Sequence, residues 1–205
     1  SLGLRAVTDG EFRRSWWHFD FLAGLEGVEL VRGEKTIKFA GIETKSESIA
    51  VNGRVAFGDH PMLDHFRYLD EVASVTPKMT IPSPSVLHFR GGRSAISQEI
   101  YPDLEAFYQD TAEAYRQAVL AFYDAGCRYL QFDDTVWAYL CSEAERQAAR
   151  ERGDDPDPLP AIYRDMINHA LAAKPDDMVI TTHVCRGNFR SSWIAEGGYE
   201  PVAEI

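Results

Sequence analysis

The sequence predicts an α/β fold of the (β/α)8 TIM-barrel type, with only part of the barrel in this chain. Four short apolar runs, at 4–11, 77–84, 128–135 and 178–185, recur at wide spacing, and helical patterns separate most of them. Strands that alternate with helices indicate βαβ units and a parallel sheet. Each run ends in residues that carry chemistry, at the strand end where barrels collect their catalytic groups.

The helices follow from apolar residues spaced three and four apart. The clearest pattern covers 104–126 and ends at Gly126, a residue suited to the position just after a helix. Residues 61–75 and 158–173 show the same amphipathic spacing. Four strands are half of an eight-stranded barrel, so we expect a piece of a longer barrel and not a smaller open sheet, with 1–205 as a single partial domain.

One segment departs from this pattern. Residues 28–58 alternate apolar and polar side chains, which is typical of strands with one buried face. The pair Asn52-Gly53 is a strong signal for a two-residue hairpin turn. We therefore predict an antiparallel β-hairpin excursion at 28–58, closed by Asn52-Gly53.

Composition and charge narrow the class of protein. The formal net charge of −11 argues against a nucleic-acid partner and an anionic membrane surface. No apolar run is long enough to cross a bilayer. The three cysteines are an odd number and predict no disulfide framework, which fits a reducing cytoplasm. We expect a cytoplasmic protein that acts on small molecules, and the sequence leaves homo-oligomer formation open.

His183 and Cys185 follow the fourth apolar run, two residues apart. Side chains at that spacing on a strand point to the same side. An imidazole and a thiolate are good zinc ligands, but zinc requires three or four. The alternative is that Cys185 is a small core residue and His183 an ordinary polar one, and the two residues alone do not decide between these.

Acidic and basic side chains follow the first and third apolar runs. The run "TDGEFRRSWW" carries Asp9, Glu11, Arg13, Arg14 and Trp16 as candidate substrate-binding residues. Carboxylates at a barrel mouth can bind an ammonium group, and arginines can bind a carboxylate. Glu11 could instead pair with a nearby arginine. The adjacent Trp16 and Trp17 could form a stacking wall for a flat ligand, or they could be core aromatics. Asp133 and Asp134 point to opposite faces, so one could bind substrate while the other caps the next helix.

The motifs "TDGEFRR", "QFDD" and "THVCRGN", in this order, resemble the catalytic domain of cobalamin-independent methionine synthase. The closer resemblance is to its short bacterial paralogues, the methionine synthase II-like proteins. It implies a barrel of the uroporphyrinogen decarboxylase and methionine synthase superfamily. It also implies an enzyme resembling 5-methyltetrahydropteroyltriglutamate–homocysteine S-methyltransferase, in which Zn²⁺ activates the homocysteine thiol and a methyl-folate gives the methyl group.

By motif, the resemblance implies that His183 and Cys185 are zinc ligands. It also implies that Glu11 and Asp133 are the catalytic-site acids that hold the amino-acid part of homocysteine. The family completes its zinc site with a glutamate and a second cysteine that would lie beyond residue 205. The segment "QFDD" lacks the acid-proline-alanine sequence of the true synthase, so the donor or the thiol could differ.

Two other functions compete with this one. A metal-free barrel of the decarboxylase type would use its acids and arginines on a polycarboxylate, and the histidine and cysteine would be incidental. An incomplete barrel that only binds a ligand or a partner would need no metal and no catalytic groups.

Overall fold

The computed structural model describes residues 3–32, 38–39, 42–43, 47–188 and 191–205. The strands are β1 (Ala6–Val7), β2 (Glu26–Arg32), β3 (Lys38–Phe39), β4 (Ile42–Glu43), β5 (Glu47–Ala56), β6 (Thr76–Pro77), β7 (Met79–Pro82), β8 (Tyr129–Asp134) and β9 (Val179–Val184). The helices are α1 (Phe19–Leu22), α2 (Pro61–Val72), α3 (Pro84–Phe89), α4 (Leu104–Asp124), α5 (Val136–Leu140), α6 (Glu143–Glu151) and α7 (Leu159–Leu171). Short 3-10 helices cover Arg93–Ala95 and Glu200–Val202.

Three strands form a parallel sheet in which β8 lies between β7 and β9. In its register Asp133 is opposite Pro82 on one side and His183 on the other. Strand β1 pairs in parallel with β6, which leads directly into β7. Parallel strands joined through helices are the repeating units of a barrel, and this arrangement confirms the predicted α/β class.

The long helix α4 has the limits that the sequence predicts. The Asp103 carboxylate accepts hydrogen bonds from the backbone N–H groups of Glu105 and Ala106, which would otherwise have no partner in the first turn. Gly126, with φ of +103°, follows the helix in the left-handed conformation that favours glycine. The apolar face of α4 packs against α7, and the predicted helices at 61–75 and 158–173 correspond to α2 and α7.

The excursion at 28–58 is antiparallel, as predicted, because β2 pairs with β5. The predicted turn at Asn52-Gly53 is wrong, since both residues lie inside β5. They belong to a bulge of β5, in which residues 52–55 lie opposite Gly27 of β2. Gly27 has φ of +77°, and a Cβ there would lie 2.4 Å from the Arg54 carbonyl oxygen. Glycine is needed here for a close approach of two backbones, which the sequence signal does not distinguish from a turn. Between β2 and β5 the described residues are 38–39 and 42–43, which form the antiparallel pair β3 and β4.

One cluster of buried apolar side chains joins the excursion to the parallel sheet. Ile49 and Val51 from β5 belong to the same cluster as Met79, Leu130 and Phe132 from the sheet. Burial of side chains like these contributes about 1.5–3 kcal/mol each. The excursion is therefore packed onto the sheet. None of the helices in the described part of the chain has the length and apolar character needed to cross a membrane.

Candidate active site

The carboxyl ends of β8 and β9 and the turn after β1 surround a cavity of about 300 Å³. Four residues predicted from the sequence line it together: Glu11, Asp133, His183 and Cys185. They come from three separate strand ends. The parallel register places Asp133 opposite His183, and Thr80 of β7 donates a hydrogen bond to Glu11. The cavity is therefore the place where the predicted metal ligands and the predicted substrate-binding acids meet.

Asp133 faces this cavity and is 9% exposed. Its carboxylate accepts a hydrogen bond of 2.6 Å from the amide of Gln131, whose oxygen in turn accepts one of 2.5 Å from the Lys78 ammonium. Burial raises the pKa of Asp133, and the Gln131 hydrogen bond and the nearby His183 oppose that rise. The lysine fixes the direction of the amide, so Gln131 presents its N–H to Asp133.

Asp134 faces the other side of β8 and is fully buried. It accepts hydrogen bonds of 2.9 Å from the Ser85 hydroxyl and 3.0 Å from the backbone N–H of Val136, in the first turn of α5. Burial raises its pKa, and these hydrogen bonds act in the opposite direction. Asp134 holds α3 and α5 at the end of the sheet, which is the helix-anchoring role foreseen for one of the two acids.

Glu11 lies in a strained turn after β1, with φ of +57°. The Asp9 carboxylate accepts a hydrogen bond from the Glu11 backbone N–H, which holds that turn. The Glu11 carboxylate accepts a hydrogen bond of 3.1 Å from Thr80 and lies 3.7 Å from Arg14. Arg14 is almost fully buried and also donates to the Thr80 carbonyl oxygen. The ion pair considered as an alternative for Glu11 is thus present, and it aims the glutamate at the cavity.

Four predicted substrate-binding residues do not line this cavity: Asp9, Arg13, Trp16 and Arg14, which lies behind Glu11. The Asp9 side chain is hydrogen-bonded within the turn after β1. The Arg13 guanidinium carbon lies 4.8 Å from the centre of the Tyr68 ring. The indole N–H of Trp16 donates to Glu47 on the excursion. The neighbouring tryptophan, Trp17, lines the cavity instead. The turn between β1 and α1 decides which of two adjacent side chains points inward, and the sequence carries no signal for it.

Several cavity residues escaped the sequence reasoning: Arg90, Gln131, Thr135, Tyr139 and Asn188. Gln131 could have been found, because it lies two residues before Asp133 on the same strand and therefore on the same face. Arg90 follows α3, and Tyr139 lies in α5. Only the packing of these two helices brings both residues to the cavity.

The chain is similar to known proteins over nearly its whole length. The uncharacterized proteins YxjH and YxjG of Bacillus subtilis (strain 168) are 52% identical over 204 residues and 49% identical over 203 residues. These matches take in 99% and 98% of this chain and 53% of each relative, so the chain spans about half the length of these relatives. No family model matches the sequence.

Two solved structures are also similar to this chain, over 90% of its length and about half of their own. A Listeria monocytogenes protein described as a "Putative Vitamin-B12 Independent Methionine Synthase" is 46% identical, with a TM-score of 0.71 over 90% of this chain and 50% of its own. By sequence and fold, this chain is therefore similar to about half of a protein described as a putative B12-independent methionine synthase, as its motifs indicate. A B12-independent methionine synthase from Shewanella sp. W3-18-1, solved with selenomethionine, shares the fold at 17% identity and a TM-score of 0.66. It covers 90% of this chain and 47% of its own. These likenesses confirm the prediction of part of a methionine synthase-like barrel.

Proposed function

We propose that this protein is a zinc-dependent enzyme that transfers a methyl group from a methyl-folate to the thiol of homocysteine or a related thiol. The observation that carries the proposal is that Glu11, Asp133, His183 and Cys185 line one cavity at the carboxyl ends of parallel strands. Methionine synthase-like relatives support the same reaction class.

In this proposal His183 and Cys185 supply two ligands of the zinc ion. An imidazole nitrogen and a thiolate match its preferences, with bonds of about 2.0–2.3 Å. Among the described residues no group of three histidine, cysteine, aspartate or glutamate side chains is arranged to hold a metal. We therefore place the remaining ligands outside those residues. Zinc bound there would keep a substrate thiol deprotonated at neutral pH.

Glu11 and Asp133 would hold the ammonium group of the acceptor amino acid. Both carboxylates line the cavity, and each is fixed by a neighbour, Arg14 for Glu11 and Gln131 for Asp133. Burial raises the pKa of Asp133, and an ammonium group beside it would favour the ionised form again. The pair would therefore orient the amino acid so that its thiol points to His183 and Cys185.

We place the methyl donor in a second cavity of about 610 Å³ between the excursion, α3 and α6. This volume lies in the range of roughly 300–1,000 Å³ that small-molecule sites have. Both cavities share Arg90, Tyr139 and Ile194 in their linings, so they adjoin. A donor there would lie beside the acceptor, as direct methyl transfer requires.

The test is zinc content by elemental analysis, together with the rate of thiol methylation. We expect about one zinc per molecule, from the single proposed site, in the protein that also carries the remaining ligands. Cys185→Ser should lose both zinc and activity, because a serine hydroxyl does not replace a thiolate ligand. Cys141→Ser is the matched control, because Cys141 is a free cysteine whose side chain lies outside this cavity. Wild-type zinc content in Cys185→Ser would contradict the assignment.

A further inference from the structure

The larger cavity, of about 610 Å³, is lined by two acidic side chains in the described part of the chain, Glu47 and Glu145. The Glu47 carboxylate accepts a hydrogen bond from the indole N–H of Trp16. Glu145 lies in the first turn of α6, and among the described residues its carboxyl group has no hydrogen-bond partner. Glu145 is therefore the acid that the described part of the fold leaves available in this cavity.

The surroundings of Glu145 combine burial with two positive charges. Burial raises the pKa of Glu145 above its ordinary value of 4.5, and Arg152 and then Arg90 oppose that rise. Both arginines line the same cavity, and Tyr139 and Glu47 are the other titratable groups in its lining. Burial thus helps the carboxyl group to hold a proton, and the guanidinium groups stabilise the carboxylate that remains once the proton has left.

Glu145 lies near the place where the two cavities adjoin. Arg90, Tyr139 and Ile194 line both cavities, and Arg90 is close enough to Glu145 to lower its pKa. In the proposed function the acceptor thiol occupies the smaller cavity and the methyl donor the larger one. The nitrogen that gives up the methyl group would therefore lie in the cavity that Glu145 lines.

This nitrogen has a chemical need that a carboxyl group can meet. When an uncharged nitrogen loses a methyl group to a thiolate, the electron pair of the broken bond stays on the nitrogen. The nitrogen then carries a negative charge unless a proton reaches it during the step. A side chain placed to supply such a proton typically accelerates a reaction by about 10²- to 10⁴-fold.

We propose that Glu145 is the general acid of the methyl transfer and gives its carboxyl proton to the nitrogen that loses the methyl group. The inference rests on the proposed function, because it requires a methylated nitrogen in the larger cavity. In this step the acceptor sulfur bonds to the methyl carbon while the carbon–nitrogen bond breaks. The nitrogen keeps the electron pair of that bond and takes the proton of Glu145. Glu145 is left as a carboxylate near Arg152 and Arg90, and it regains a proton from water before the next turnover.

The first experiment compares the methyl-transfer kinetics of Glu145→Gln with those of the wild type, in the protein that also carries the remaining zinc ligands. The glutamine amide keeps the shape of the side chain and has no acidic proton to give. We expect kcat to fall by about 100-fold or more, and the KM for the donor to stay within about threefold. Glu145→Asp keeps a carboxyl group and should recover part of the lost rate.

The pH dependence gives a second readout of the same role. Only the protonated carboxyl group is an acid, so kcat of the wild type should fall as pH rises through the pKa of Glu145. This falling limb should be absent from the profile of Glu145→Gln. A residue that only supported the fold would leave the profile unchanged in shape.

A third readout is proton uptake when 5-methyltetrahydrofolate binds, measured by calorimetry in two buffers of different ionisation enthalpy. It needs no turnover and no acceptor. A proton shared with the donor nitrogen raises the pKa of Glu145 in the complex, so the wild type should take up protons on binding at a pH above that pKa. Glu145→Gln should take up fewer.

Glu143→Gln is the matched control, because Glu143 is an exposed glutamate of the same helix that pairs with Arg150. It should resemble the wild type in kcat and in proton uptake, and thermal unfolding checks that each variant is folded. The inference is overturned if folded Glu145→Gln keeps the wild-type kcat, or if only its KM for the donor rises, since Glu145 would then only bind the donor. A wild-type protein that methylates no thiol and loses no zinc in Cys185→Ser overturns the proposed function as well. A wild type that does both while Glu145→Gln remains fully active overturns the inference alone.

Discussion

At the end of β8 two adjacent aspartates occupy opposite faces of the same sheet. Asp134 points outward, is completely enclosed, and accepts hydrogen bonds from Ser85 and from the first turn of α5. Asp133 points inward to a cavity and is held by a single amide, Gln131, that a lysine orients. The Asp134 carboxylate uses its acceptors within the fold, whereas the Asp133 carboxylate can still accept hydrogen bonds from a ligand in the cavity. A buried acid is thus a candidate for function when its hydrogen-bonding capacity is left partly unused.

The largest effect expected from this comparison is on stability. Asp134→Ala should lower the free energy of unfolding by about 3 kcal/mol, because the Ser85 hydroxyl and the Val136 N–H lose their buried acceptor. Asp133→Ala, the matched control, should change it by less than about 1 kcal/mol, since that carboxylate carries a cost of burial and faces a cavity. Urea unfolding of both variants measures the difference. Equal losses would mean that both acids are structural.

The next effect is on ligand binding. Asp133→Asn should weaken the acceptor amino acid by about 10-fold or more, because a charge-assisted hydrogen bond to its ammonium group is lost. Bound zinc should be unchanged, because Asp133 is placed on the substrate and not on the metal. Calorimetry with L-methionine and elemental analysis check the two parts. A variant that loses its zinc would show that Asp133 has been misplaced.

The smallest effect is expected one residue further from the substrate. Gln131→Leu removes the hydrogen bond that lowers the pKa of Asp133, so that pKa should rise further above its ordinary value of 3.8. Acceptor binding requires the ionised carboxylate and is lost as pH falls through the pKa of Asp133. This loss should therefore occur at higher pH in Gln131→Leu. At neutral pH the affinity should fall by only about fivefold, the worth of one hydrogen bond.

The pH profile of binding separates this positioning role from a purely structural one. A Gln131→Leu protein with weaker binding but an unshifted profile would mean that the glutamine only packs against Asp133. Lys78→Met should move the profile in the same direction, because Gln131 would lose the ammonium group that fixes its orientation.

Much of the candidate site could be predicted because it depends on strand ends. His183 and Cys185 share a face through their spacing, and Glu11 and Asp133 follow the first and third apolar runs. Residues that enter the cavity from helices, such as Arg90 and Tyr139, carry no comparable signal. Arg13 was expected in the site and lies over Tyr68 instead, in the turn where Gly10 and Glu11 have positive φ.

The sequence by itself determined the order of the four strand runs and of the three longest helices, the antiparallel nature of the excursion, and the chemistry at each strand end. These features are local, since apolar spacing and capping residues act within a few positions of the chain. Only the tertiary structure decided that Asn52-Gly53 serves a close approach to Gly27, and that Trp17 rather than Trp16 reaches the cavity. Such choices depend on contacts between residues far apart in the chain, which fix the direction of a side chain after its secondary structure has formed.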